Sequence, residues 1–208
     1  NLITCKCQKK KIVKSVRCRY LAKSHIINCN AQNQSFIYAN FRGAIFTKVK
    51  FNNSTITGCD FWGATFKDCD FRGARISDCV FMACKFSNFT GTIINYTTIV
   101  NTSLAECKNI SIAERTMIYK NYPKCILSEE LKAALEFLKS NKNLRTYKLL
   151  HISDKKYNEL NLFLLQQRFT AKALPLLLME LVNHSTKKIT TYKKLERQLK
   201  SFEIGGTI

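Results

Sequence analysis

A large apolar residue recurs every five positions from Phe36 to Phe86: Phe36, Phe41, Phe46, Phe51, Ile56, Phe61, Phe66, Phe71, Ile76, Phe81 and Phe86. Two residues before each stands a smaller one: Ala39, Ala44, Val49, Ser54, Cys59, Ala64, Cys69, Ala74, Cys79 and Cys84, with Gln34 before Phe36. A period of five fits neither a helix nor a flat strand. It signals a repeat architecture. Such a residue lines one interior only if the chain turns a corner at each repeat. Four corners close a square coil, and coils then stack with a strand-like rise of about 4.8 Å. At twenty residues per coil, Phe41, Phe61 and Phe81 share a column. Phe46, Phe66 and Phe86 share another, Phe51 lies on Phe71, and Ile56 lies on Ile76. Gly43, Gly63 and Gly73 fall two after a central Phe, where a tight corner calls for positive φ.

The units Ala39-Asn40-Phe41-Arg42-Gly43, Cys59-Asp60-Phe61-Trp62-Gly63 and Cys69-Asp70-Phe71-Arg72-Gly73 resemble the A-(D/N)-(L/F)-x-x unit of pentapeptide-repeat proteins. The resemblance extends over about 26–104 and implies a right-handed quadrilateral β-helix. Tracing the phase backward puts Arg19 and Lys14 at small interior positions. Regular coils are therefore expected from Ser24, with 1–23 a basic arm or cap and 24–122 the β-helix. After Phe86 the phase breaks. It resumes at Ile94, Ile99 and Leu104, which predicts a three-residue loop projecting at Ser87–Gly91.

Beyond Pro123 the period becomes helical, so 123–208 reads as an all-α domain of four or five helices. Ser128 caps a helix over 129–140, with Leu131, Leu135 and Leu138 on one face. A short helix follows through Leu144 and Leu150. Ser153 is expected to cap a third, Pro175 opens a fourth, and a last one begins near Thr186 with Ile189, Tyr192, Leu195, Leu199 and Phe202 inward.

Charge changes the picture more than composition does. The formal net charge is +20, and residues 1–25 hold eight Lys/Arg with no acid. A balance this positive favours anionic partners. The candidate partner or nucleic-acid contacts are Lys9, Lys10, Lys11 and Lys14 in the arm, and Lys187, Lys188, Lys193, Lys194, Arg197 and Lys200 around the last helix. No run of 18 apolar residues occurs, so no membrane span is expected. The first residues do not read as a secretory signal.

Of the ten cysteines, Cys59, Cys69, Cys79 and Cys84 fall in the small interior column and Cys29 in the same phase, and they act there as compact hydrophobes, which suits a reducing cytoplasm. Cys5, Cys7, Cys18 and Cys29 are weak zinc candidates, their spacing departing from the usual C-x2-C. No cofactor motif is present. His25, His151 and His184 form no metal or base pattern, and Asp60, Asp70 and Asp78 read as corner residues, so no catalytic residue is assigned.

The reading is a non-catalytic interaction scaffold that binds a protein partner through its solenoid faces and helical domain. It would serve in a multi-protein assembly such as phage defence, with homodimerisation open. The alternative is nucleic-acid binding through the basic arm and last helix. The family also includes DNA mimics that protect type II topoisomerases. That mechanism needs an acidic surface, and 26–125 carries eleven bases against six acids.

Overall fold

A computed structural model describes residues 4–12, as backbone, and 14–205. The chain divides into two compact units, Asn1–Asn121 and Tyr122–Ile208.

The first unit is a β-solenoid. Three parallel sheets of five, four and six strands form three of its sides. Isolated bridges Asn30↔Lys50 and Lys50↔Asp70 carry the fourth. Phe36 pairs with Ile56, Phe46 with Phe66 and Phe61 with Phe81, each twenty residues on. Every corner residue from Asn28 to Asn88 has positive φ, among them Asn33, Asn53, Asp68 and Asp78. Asn and Asp are the L-residues that tolerate this region best. The Asn or Asp before the central residue of a unit closes the next turn locally. Asn30 Oδ1 accepts from the Gln32 N–H at 3.0 Å, Asn40 from Arg42 at 3.2 Å and Asp70 from Arg72 at 3.1 Å.

The interior is a lattice of rings. Phe41 stacks on Phe61 at 5.3 Å and 8°, Phe61 on Phe81 at 4.8 Å and 10°, and Phe46 on Phe66 at 4.9 Å and 6°. Around one coil the same rings meet edge to face, as Phe41 and Phe46 do at 69°. Both are favoured arrangements of the ring quadrupole.

The ladder begins earlier than the residue types suggest. Thr4–Ile12 pairs in parallel with His25–Asn30, and Val16–Arg17 with Ser35–Ile37. Lys14 and Arg19 are exposed, so their side chains do not enter the interior. The Arg19 carbonyl still accepts from the Asn40 N–H at 2.8 Å. Backbone pairing here does not require a small side chain.

The expected loop at 87–91 is absent. The coil is shortened instead: Ile76 pairs with Ile94 and Phe81 with Ile99, an offset of eighteen. The register passes from Asp70↔Thr90 straight to Ala74↔Thr92, so Gly91 alone answers residues 71–73. Phe89, three residues after Phe86, is buried and stacks on Phe71 at 4.3 Å. It fills the column that a longer coil would have filled.

The small column also carries hydrogen bonds. The Cys59 N–H donates to Cys79 Sγ at 3.3 Å, and the Cys79 N–H to Thr97 Oγ1 at 3.3 Å. Cys79 donates in turn to the Ser77 carbonyl, as Thr97 does to Asn95. Thr and Cys are thus equivalent here. Cys79→Ala leaves a buried N–H without its acceptor and should cost about 1–3 kcal/mol. Cys79→Ser should cost clearly less; equal losses in urea melts would refute the acceptor role.

Among the described residues, the second unit holds five α-helices. They are α1 (Glu129–Leu138), α2 (Lys142–Thr146), α3 (Glu159–Gln166), α4 (Ala173–Glu180), which runs into a 3-10 turn at Leu181–Asn183, and α5 (Tyr192–Ile204). Ser128, Asn141, Asn158 and Thr191 cap α1, α2, α3 and α5 with their side chains. Three expectations are corrected. The unit is not all-α, because His151–Ser153 and Lys156–Tyr157 form an antiparallel hairpin. Ser153 lies in that hairpin, and Asn158 is the cap. Asn158 is fixed by its Nδ2 donating to the Lys148 carbonyl at 2.7 Å and its N–H donating to that of Leu150. Finally, α5 starts at Tyr192. Thr186 is held apart from it by hydrogen bonds with Asn141 and Asn143.

His151 is buried with Nε2 unpartnered, its ring 5.2 Å from that of Tyr157. Tyr157 donates to Glu136, which also accepts from Lys139. Burial holds the His151 pKa below its usual value; Glu136 and Asp154 oppose this, while Lys139 and Arg145 reinforce it. The folded ring stays neutral where the unfolded ring, with a pKa of about 6.5, takes up a proton. The unfolded state therefore binds more protons, and stability is full above that pH and lost as pH falls below it. The stability of the helical unit, read from its unfolding, should fall from pH 7 to 5.5 and should do so less in His151→Phe. Identical pH profiles would exclude this group.

Candidate functional site

The solenoid fixes the direction of every outward side chain by its place in a five-residue unit. At the shortened corner this leaves an open cleft of about 400 Å³ lined by Asp68, Cys69, Asp70, Arg72, Asn88 and Thr90. Arg72 grips Asp70 through Nε at 2.9 Å and Nη2 at 2.6 Å. The bond from Arg72, helped by one from Asn52, lowers the Asp70 pKa to about 2. Asn88 Nδ2 donates to Asp68 Oδ1 at 3.2 Å. Burial pushes the Cys69 thiol up to about 12. At neutral pH Asp70 is thus a fixed carboxylate and Cys69 a protonated thiol. The cleft offers hydrogen-bonding recognition, and neither group is poised for proton transfer or nucleophilic attack.

The charged candidates fall in different places. Lys9, Lys10 and Lys11 have side chains outside the described residues, and Lys14 is exposed. Lys187 and Lys188 are exposed between the 3-10 turn and α5. On α5, Lys193 pairs with Glu196 at 3.1 Å, which also faces Arg168 at 3.8 Å. Arg197 and Lys200 are exposed and Lys194 is half-buried. The last helix therefore neutralises part of its own charge.

Of the four zinc candidates, the side chains of Cys18 and Cys29 are described. Cys29 is buried and donates to the Ile27 carbonyl, Cys18 is a corner residue with φ 48°, and Cys5 and Cys7 have side chains outside the described residues. Among the described residues, no group of three or more His, Cys, Asp or Glu could hold a metal.

Sequence reading missed Arg17, Arg19 and Lys23, all exposed in the first coil, and the Arg42 guanidinium 3.9 Å over the Trp62 ring. Column arithmetic could have found the last pair, since Arg42 and Trp62 both follow a central Phe, twenty residues apart. No helix among the described residues is long and apolar enough to cross a membrane.

These features define a repeat solenoid with a polar cleft at its shortened corner. Residues 31–75 match the family model described as pentapeptide repeats (9 copies). With the five-residue ladder, this makes residues 31–75 of the solenoid pentapeptide repeats. Among proteins of curated function, none matches it in sequence. Similar solved structures include a pentapeptide repeat protein from the Arabidopsis thaliana thylakoid lumen, at 17% identity and TM-score 0.32, covering 61% of this chain and 74% of that one. HetL from Nostoc sp. strain PCC 7120, a protein involved in heterocyst differentiation regulation, has 7% identity and TM-score 0.24, covering 53% and 73%. QnrB1, a plasmid-mediated fluoroquinolone resistance protein, has 12% identity and TM-score 0.21, covering 50% and 87%.

Proposed function

We propose that the protein is a non-catalytic interaction scaffold that binds a protein partner through the solenoid surface, with the helical unit as a second binding surface in a larger assembly. The observation that carries this is the cleft at the shortened corner. It is a polar surface on the ladder, with Asp70 held as a carboxylate and Cys69 as a thiol. Repeat solenoids present such surfaces to macromolecules.

The test is affinity capture from native lysate after nuclease treatment, with the wild-type chain and the double variant Asp68→Ala/Asn88→Ala. A protein retained by the first and lost by the second supports the reading. Equal capture by both, or none by either, rejects it.

A further inference from the structure

We infer that the segment formed by residues 14–23 is a binding surface for nucleic-acid phosphates, a second site on the scaffold proposed above. It holds Lys14, Arg17, Arg19 and Lys23 with no Asp/Glu, and residues 1–25 hold eight Lys/Arg with no acid, against ten Lys/Arg and six Asp/Glu over 24–121. Pairing of Thr4–Ile12 with His25–Asn30 and of Val16–Arg17 with Ser35–Ile37 builds this stretch into the ladder. The fold therefore spaces Lys14, Arg17, Arg19 and Lys23, which are exposed.

Two of them occupy positions that later coils fill with uncharged residues, small in every case but Gln34. Lys14 heads the column Gln34, Ser54, Ala74, and Arg19 heads the column Ala39, Cys59, Cys79. Ser54, Ala74, Ala39, Cys59 and Cys79 are buried, whereas Lys14 and Arg19 are exposed. Packing of the solenoid does not call for a cation at either place. No intramolecular ion pair uses Lys14, Arg17, Arg19 or Lys23 among the described residues. This contrasts with α5, where Lys193 and Arg168 already face Glu196. Arg17 is held 5.9 Å from the centre of the Tyr38 ring, and Tyr20 beside Arg19 is 42% exposed.

The four described cations follow one another round the coil instead of meeting at one point. That spread suits an extended polyanion with evenly spaced charge, read through its backbone and independent of sequence. The tyrosine adds a flat surface on which a base can stack. An acidic protein face would be expected to meet apolar or acidic groups among these cations, and this coil has no acid.

The experiment is fluorescence anisotropy with a labelled 20-base-pair duplex and a 20-nucleotide single strand, from 50 to 300 mM salt, on the full chain. The variant Lys14→Ala/Arg17→Ala/Arg19→Ala/Lys23→Ala should bind at least about tenfold more weakly at 100 mM salt. Its log–log salt slope on duplex should be shallower by about 0.9 for each phosphate contact removed. Lys187→Ala/Lys188→Ala/Lys200→Ala should match the wild type, and poly-glutamate should compete poorly. Should the quadruple variant melt early, the single reversals Lys14→Glu and Lys23→Glu replace it, with the same direction expected. Unchanged binding by the coil variants, a lost slope in the helical variant, or equal competition by poly-glutamate would each overturn the inference. The scaffold reading is tested separately, because its partner must survive nuclease and depend on Asp68 and Asn88.

Discussion

Phe61→Ala should cost the solenoid about 3–5 kcal/mol, the range for emptying a large aromatic site. Phe61 is sandwiched between Phe41 and Phe81 and meets Phe66 at 5.4 Å. Removing it opens a void between two stacked neighbours whose backbones are tied by the ladder, so little collapse can follow. Phe86→Ala should cost less, because Phe86 is only half-buried. Urea melts of both variants, followed by far-ultraviolet circular dichroism, measure the difference. A Phe61→Ala chain that unfolds at the wild-type midpoint would show that the ring lattice does not hold the coils.

Gly91→Ala should be the second large effect, at about 2–4 kcal/mol, and Gly63→Ala the matched control. Both glycines have positive φ, 62° and 66°, so each alanine carries a left-handed penalty of about 1–2 kcal/mol. At Gly63 nothing lies within 4 Å of an added Cβ. At Gly91 the Cβ would meet Arg72 Cγ at 2.9 Å and Arg72 Cα at 3.3 Å. The side-chain atom can move, but the backbone atom cannot do so without disturbing Asp70 and the cleft. The difference between the two melts isolates the close approach that the cut corner demands. No difference would mean that the corner has room to relax.

The columns of the regular coils were legible because each depends on a single fixed number, the repeat of five. One phase predicts the stacking of Phe41, Phe61 and Phe81 and the burial of Cys59 and Cys79 together. What was not legible depends on two numbers at once. The spacing from Phe86 to Ile94 fits either an inserted loop or a shortened coil, and only the seating of Phe89 on Phe71 decides between them. The early start of the ladder was hidden because a residue-type rule was applied to Lys14 and Arg19, while the backbone does the pairing. In the helical unit Ser153 and Asn158 are both good cap residues by type. The choice falls to Asn158 because its side chain also reaches the Lys148 carbonyl, a contact ten residues away that no local pattern contains. The cleft followed the same logic, being made by a register change and not by a motif.

A ladder of identical layers is a one-dimensional crystal, and the change of offset from twenty to eighteen is its stacking fault. Layers before the fault can be duplicated or excised in whole steps with every column kept in alignment. A splice that crosses it moves each later side chain by two places, exchanging core and surface positions at every corner beyond. The fault therefore divides the solenoid into a part whose length is free to vary and a part whose length is locked.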